Sequence, residues 1–148
     1  MAAIKPKSLS DGADPNVLFV ALALAVGGCA TGQYGSFVRS DAVSASVTQD
    51  VVEKLQEEFP AANTVFFLNR SKSDTFGTQL DQALREKGFA TTAQQGENEK
   101  SLNYVLDQVD SDIYRVMIYI DGTPYSRAYR QTENGAVVPT GSWTKRGD

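Results

Sequence analysis

"LNYVLDQVDSDIYRVMIYIDGTPYSRAYRQTENGAVV", residues 102–138, decides the fold. Val116, Ile118 and Ile120 alternate with Arg115, Met117 and Tyr119, so a strand here has one aliphatic face and one mixed face. Turn signals punctuate the run: Asp110-Ser111-Asp112, then Asp121-Gly122, then Asn134-Gly135. Asp-Gly and Asn-Gly suit two-residue hairpin turns, which need positive φ at both central positions. Four antiparallel strands follow, "LNYVLDQV", "IYRVMIYI", "PYSRAYRQT" and "AVVPTGSWTK", as a β-meander.

Upstream the period changes. Val47, Val51, Val52, Leu55 and Phe59 share a helical face, with "SVTQ" as a capping box that puts Ser46 at the N-cap and Pro60 ending the helix. "NTVFFLN" (63–69) reads as a short strand buried on both faces. Ser73 is placed to cap a second helix with Phe76, Leu80, Ala83, Leu84 and Lys87 on one side. Gly88 stands where a left-handed C-terminal cap belongs. "FATTA" is a further strand and "QQGENEKS" a solvated loop. The expected fold is α+β: a small two-helix domain with an antiparallel β-meander, over residues 46–148.

The N-terminal third has another character. Val17 to Gly28 is apolar or glycine throughout, and twelve residues of helix reach about 18 Å, short of the roughly 30 Å hydrocarbon core. With Lys5 and Lys7 upstream it reads as a secretory signal of residues 1–28. Val26-Gly27-Gly28-Cys29 resembles a lipobox, with cleavage between Gly28 and Cys29 and acylation of the Cys29 thiol. Ala30 stands where an Asp would resemble an inner-membrane retention signal, so the outer membrane is the expected address, with the domain facing the periplasm. Residues 29–45 are expected to be the acylated cysteine and a flexible tether, in which Tyr34, Phe37 and Val38 stand out as a docking cluster or as packing on the domain itself.

Composition excludes several chemistries. The chain has no histidine and one cysteine, which removes histidine triads, histidine metal sites, multi-cysteine zinc sites and any internal disulfide; no metal and no cofactor is expected. A net charge of -4 argues against direct nucleic-acid binding, which needs basic patches. Asp107, Asp110, Glu57 and Glu58 are the carboxylates to weigh for glycosidase chemistry, but none is set in an apolar surround, so an enzyme is not expected. Ser111, Ser126 and Ser142 lack a histidine base. Tyr119, Tyr125, Tyr129 and Trp143, with Arg127 and Arg130 nearby, are the residue types enriched at protein interfaces, and are candidate partner-binding residues alongside Tyr34 and Phe37. The competing reading packs Trp143 and some of the tyrosines in the core.

Five segments in order, "GCATGQYGSFV", "FPAANTVFFL", "DTFGTQLDQALREKGFA", "LNYVLDQVDSDIYRVMI" and "SRAYRQTENGAVVPTGSWTK", resemble the TrbH lipoproteins of conjugative transfer systems. The resemblance implies a domain similar to the small N-terminal module of secretins. It also implies a structural or docking role in the outer-membrane core complex of a type IV secretion machine. The implied partners are the other core subunits, a ring of repeated copies, and the membrane through acylated Cys29. The alternative is a peptidoglycan-binding or wall-modifying periplasmic lipoprotein.

Overall fold

The computed structural model describes residues 33–147. The proposed signal peptide, the Gly28–Cys29 junction and the first residues of the proposed tether lie outside the described residues. The elements run β1 (Gly35–Ser36), α1 (Asp41–Glu58), a 3-10 turn (Ala61–Asn63), β2 (Val65–Leu68), α2 (Thr75–Glu86), β3 (Ala90–Thr92), β4 (Lys100–Gln108), β5 (Ile113–Ile120), β6 (Thr123–Gln131), β7 (Val137–Pro139) and β8 (Thr144–Lys145). The α+β class is as expected and the meander runs through β4, β5 and β6, but its expected fourth strand "AVVPTGSWTK" is broken into β7 and β8, each pairing with β6.

The sheet is mixed rather than purely antiparallel. Its order is β3-β2-β4-β5-β6-β7, and β2 pairs in parallel with both β3 and β4. β1 continues the β4 edge beyond β2, pairing Gly35 with Val105 and Ser36 with Leu106. On the far side β8 pairs with β6 beside β7. β2–α2–β3 is a parallel crossover unit, which is why two short strands of ordinary β composition end up beside each other.

α1 starts earlier than the capping pattern suggests. Ser40 is the N-cap, its Oγ accepting from the Val43 amide at 3.3 Å, while Ser46 lies inside the helix and bonds back to the Ala42 carbonyl at 3.0 Å. A serine hydroxyl satisfied four residues back no longer serves as a cap. Asp41 in the first turn suits the positive end of the helix dipole, and Val43 extends the buried stripe of Val47, Val51 and Leu55 by one turn. With β1 already in the sheet, the expected tether of residues 29–45 is folded from Gly35 onward. α2 is likewise capped one residue later than expected, by Asp74, whose carboxylate accepts from the Gly77 amide at 3.1 Å. Its other end is a Schellman cap: Gly88 at φ 90°, Phe89 N–H to the Leu84 carbonyl at 3.0 Å, and Gly88 N–H to the Arg85 carbonyl at 3.0 Å.

Both helices bury their stripes against the same sheet face. Val47, Val51 and Leu55 from α1 and Phe76, Leu80 and Leu84 from α2 join Phe66, Leu102, Tyr104, Leu106, Val116 and Ile118 in one core. β2 alternates, burying Phe66 and Leu68 and leaving Val65 and Phe67 half-buried, so only one of its faces is fully dry. Among the described residues, the other face of the sheet carries no helix.

Candidate docking surface

The uncovered face is built by strand parity. Because Ile118 and Ile120 point to the core, Met117 and Tyr119 point away from it, and the pairing register sets their neighbours. Val105, Met117, Ser126 and Thr144 form one row across β4, β5, β6 and β8. Asn103, Tyr119 and Pro124 form the next row. Met117, Tyr119, Pro124, Ser126, Thr144 and Arg146 enclose a shallow depression of about 180 Å³. Small-molecule sites usually run to about 300–1,000 Å³, so this depression suits a side chain of a partner better than a free ligand.

Of the two aromatic residues that flank β1, Tyr34 reaches this face. Tyr34 sets its ring edge-on to Tyr119, 5.4 Å between centroids, and remains 52% exposed. Phe37 is 58% exposed. The Tyr119 hydroxyl reaches the Met117 sulfur at 3.7 Å. One row further along, Arg115 makes a two-pronged contact with Asp107, and this hydrogen-bonded carboxylate holds the guanidinium above its ordinary pKa. The surface is thus an apolar and aromatic strip ending in a fixed ion pair, the composition of an interface centre with a polar margin.

The remaining candidate residues divide otherwise. Tyr125 and Tyr129 are 3% and 1% exposed, so their rings belong to the core and cannot be docking residues. The two-residue Asp121-Gly122 turn is the reason. It sets Tyr125 opposite Ile118 and Tyr129 opposite Tyr114, on the helix side. Arg127 shares that side and is already engaged. It meets Asp50 of α1 at 2.6 Å, donates to the Gly141 carbonyl at 2.8 Å and lies 5.9 Å from the Trp143 ring. Trp143 packs half-buried against the core. Arg127 and Trp143 therefore tie α1 to the β6 edge rather than standing free for a partner. Arg130 is exposed, with Asp112 at 3.4 Å, and remains available.

Two polar clusters went unread in the sequence. Asp50 accepts from both Arg127 and the Tyr129 hydroxyl, the latter at 2.6 Å. Its only sequence signal is an acid at the margin of the Val47–Val51 stripe. Asp74 caps α2 and also accepts from the Tyr104 hydroxyl at 2.7 Å and the Ser36 amide at 3.1 Å, joining α2, β4 and β1. Burial, and then the carboxylate beside each hydroxyl, push the Tyr104 and Tyr129 phenols well above their ordinary pKa, so both stay neutral donors. A Cβ on Gly77 would collide with the Tyr104 hydroxyl, which accounts for glycine in that turn of helix.

The carboxylates weighed for catalysis all have local partners. Lys54 meets Glu57 at 3.3 Å and Glu58 at 2.8 Å, and its hydrogen bond holds Glu58 below its ordinary pKa. Asp107 belongs to Arg115, and Asp110 accepts from the Ser111 amide in its own turn. Among the described residues no group of three or more acidic, histidine or cysteine side chains could hold a metal ion, and no helix is long and apolar enough to cross a membrane.

A family model described as conjugal transfer protein TrbH matches residues 31–147, which takes in the whole described domain. The chain belongs to the TrbH family. This TrbH protein is accordingly a component of a conjugal transfer, type IV secretion, system, and its partners are sought among the other proteins of that system. The match begins after Cys29, so the proposed acylation signal lies outside it. No curated protein and no solved structure matches the chain.

Proposed function

We propose that this TrbH protein is an outer-membrane lipoprotein that docks onto the outer-membrane core of the conjugation machine through the uncovered face of its sheet. The observation that carries this reading is the depression lined by Met117, Tyr119, Pro124 and Ser126 on a face that no helix among the described residues covers. An apolar floor with an ion pair beside it offers buried area at reduced ordering cost, since the β-strands fix the backbone that carries these side chains. Cys29 anchors the chain by its acyl groups, and two or more chains make such anchoring stable where one gives only marginal binding. Anchored copies share a surface, so weak contacts per copy add up around a ring of core subunits. Two helices over one face of a small mixed sheet also support kinship with the secretin N-terminal module, a fold suited to rings. The role is structural, without catalysis.

The anchor is tested by Cys29→Ser. The variant should take up no palmitate label and should leave the outer-membrane fraction. Normal labelling of that variant would show the lipobox reading to be wrong.

A further inference from the structure

The place where the chain enters the sheet fixes what the domain can touch. β1 begins at Gly35, and its pairing with β4 is reinforced by the Ser36 amide donating to Asp74 and the Phe37 amide donating to the Leu106 carbonyl at 2.8 Å. Residues 30–34 alone separate Cys29 from this strand. Whatever conformation they take, they span no more than roughly 20 Å from Cys29 to Gly35. A long tether would let the domain roam; this short one holds the β1 edge beside whatever Cys29 is fixed to.

That edge has the chemistry of a membrane interface. Tyr34 and Phe37, the two aromatics that bracket β1, are among the exposed large hydrophobic residues, while most other aromatics of the domain lie in or against the core. Arg39 is exposed, and Phe37 and Arg39 line a shallow groove of about 400 Å³ with Ser73 and Asp74. Asp74 is already engaged by Tyr104, Ser36 and Gly77, and Asp41 offsets part of the local positive charge. Aromatic rings flanked by long cationic side chains sit at the headgroup level of bilayers, the rings inserted and the cations reaching phosphate. We propose that the β1 edge, through Tyr34, Phe37 and Arg39, seats on the phospholipid surface that holds Cys29, so that the domain has a fixed orientation on the membrane. The proposal rests on the lipid anchor proposed above. Tyr34, edge-on to Tyr119, stands where the seat meets the Met117–Tyr119 face, so a fixed seat directs that face to a constant side of each copy.

The test uses the lipidated protein purified from membranes and reconstituted into phosphatidylethanolamine–phosphatidylglycerol vesicles, with and without bromine on the acyl chains. Trp143, the single tryptophan, lies next to β8, four strand spacings or roughly 19 Å across the sheet from β1. It is the distant reporter. The near reporter is Phe37→Trp in a Trp143→Phe background, with Tyr34→Trp in the same background as a second near position. The near reporters should emit at shorter wavelength in vesicles and lose most of their intensity to brominated lipid, while Trp143 loses little. Unquenched near reporters on a protein whose intact mass shows acylated Cys29 would overturn the proposal and assign that edge to a protein partner. Equal quenching of near and distant reporters would also overturn it. An intact mass without acyl groups would instead overturn the anchor, and the seat with it.

Discussion

At Asp50 one carboxylate serves two donors, the Tyr129 hydroxyl and the Arg127 guanidinium, and both donors come from β6. Removing it leaves a buried hydroxyl without its acceptor and a guanidinium four-fifths buried without its partner. Asp50→Ala should therefore cost about 1–3 kcal/mol, read from urea unfolding, whereas a change below about 0.5 kcal/mol would mark the contact as incidental. Asp81 gives a pH signature. Burial by itself would raise its carboxyl, but hydrogen bonds from Thr91, Arg85 and Arg70 outweigh it and hold the group below 3.8. A depressed folded pKa adds stability above the unfolded value, and that stability is lost as pH falls through the folded one. Asp81→Asn should be less stable than the wild type at neutral pH and lose less of its stability on acidification below about pH 4. Thermal melts across that range read the difference, and parallel acid limbs would contradict it. The tyrosines show what could have been read at this scale. Tyr119 and Met117 alternate with the aliphatic residues of one strand, so their outward side is visible in the sequence. Tyr125 and Tyr129 needed the hairpin register: with Asp121 and Gly122 both at positive φ, Ile120 faces Thr123, and parity then sends both rings inward. Asp50 and Asp74 had no such signal, because their partners are 77 to 79 and 30 to 38 residues away.

Among the elements, β1 is the least independent. It is two residues of Gly and Ser, with no periodicity of its own, and exists because β4 presents a free edge beyond the end of β2. A sequence reading sees a linker there for the same reason that a two-residue strand cannot form alone. The sequence shows α1 from Val47 to Phe59, ended by Pro60, but its first turn is hidden behind the better-looking cap pattern at Ser46. α2 and its glycine cap were plain, since stripe, cap and the contact made by Phe89 all agree. Asp74 is the joint between these parts. Asp74→Ala should remove a helix cap worth about 0.5–2 kcal/mol and free the Ser36 amide. Hydrogen exchange should then show the amides of Ser36 and Phe37 opening while those of β5 stay protected. Unchanged protection at Ser36 and Phe37 would mean that the β4 pairing alone secures the strand.

At the scale of the domain, the division of labour follows from a sheet with one face under two helices and one face that no described helix covers. The helix side holds the core and nearly all the buried side chains, and the bare side holds the shallow depression around Met117 and Tyr119. Membership of the TrbH family makes the chain a conjugal transfer component, and the bare face is the surface through which we have it act. The measurement that bears on this most directly is plasmid transfer from donors carrying Met117→Glu. A half-buried outward side chain tolerates that change without unfolding the core, yet a carboxylate in the middle of a docked apolar surface must be desolvated without a partner. The account predicts normal acylation, normal abundance of folded protein and transfer reduced by about tenfold or more, the scale of a lost hot-spot contact. Transfer at the wild-type level from folded, acylated Met117→Glu protein would contradict the docking face.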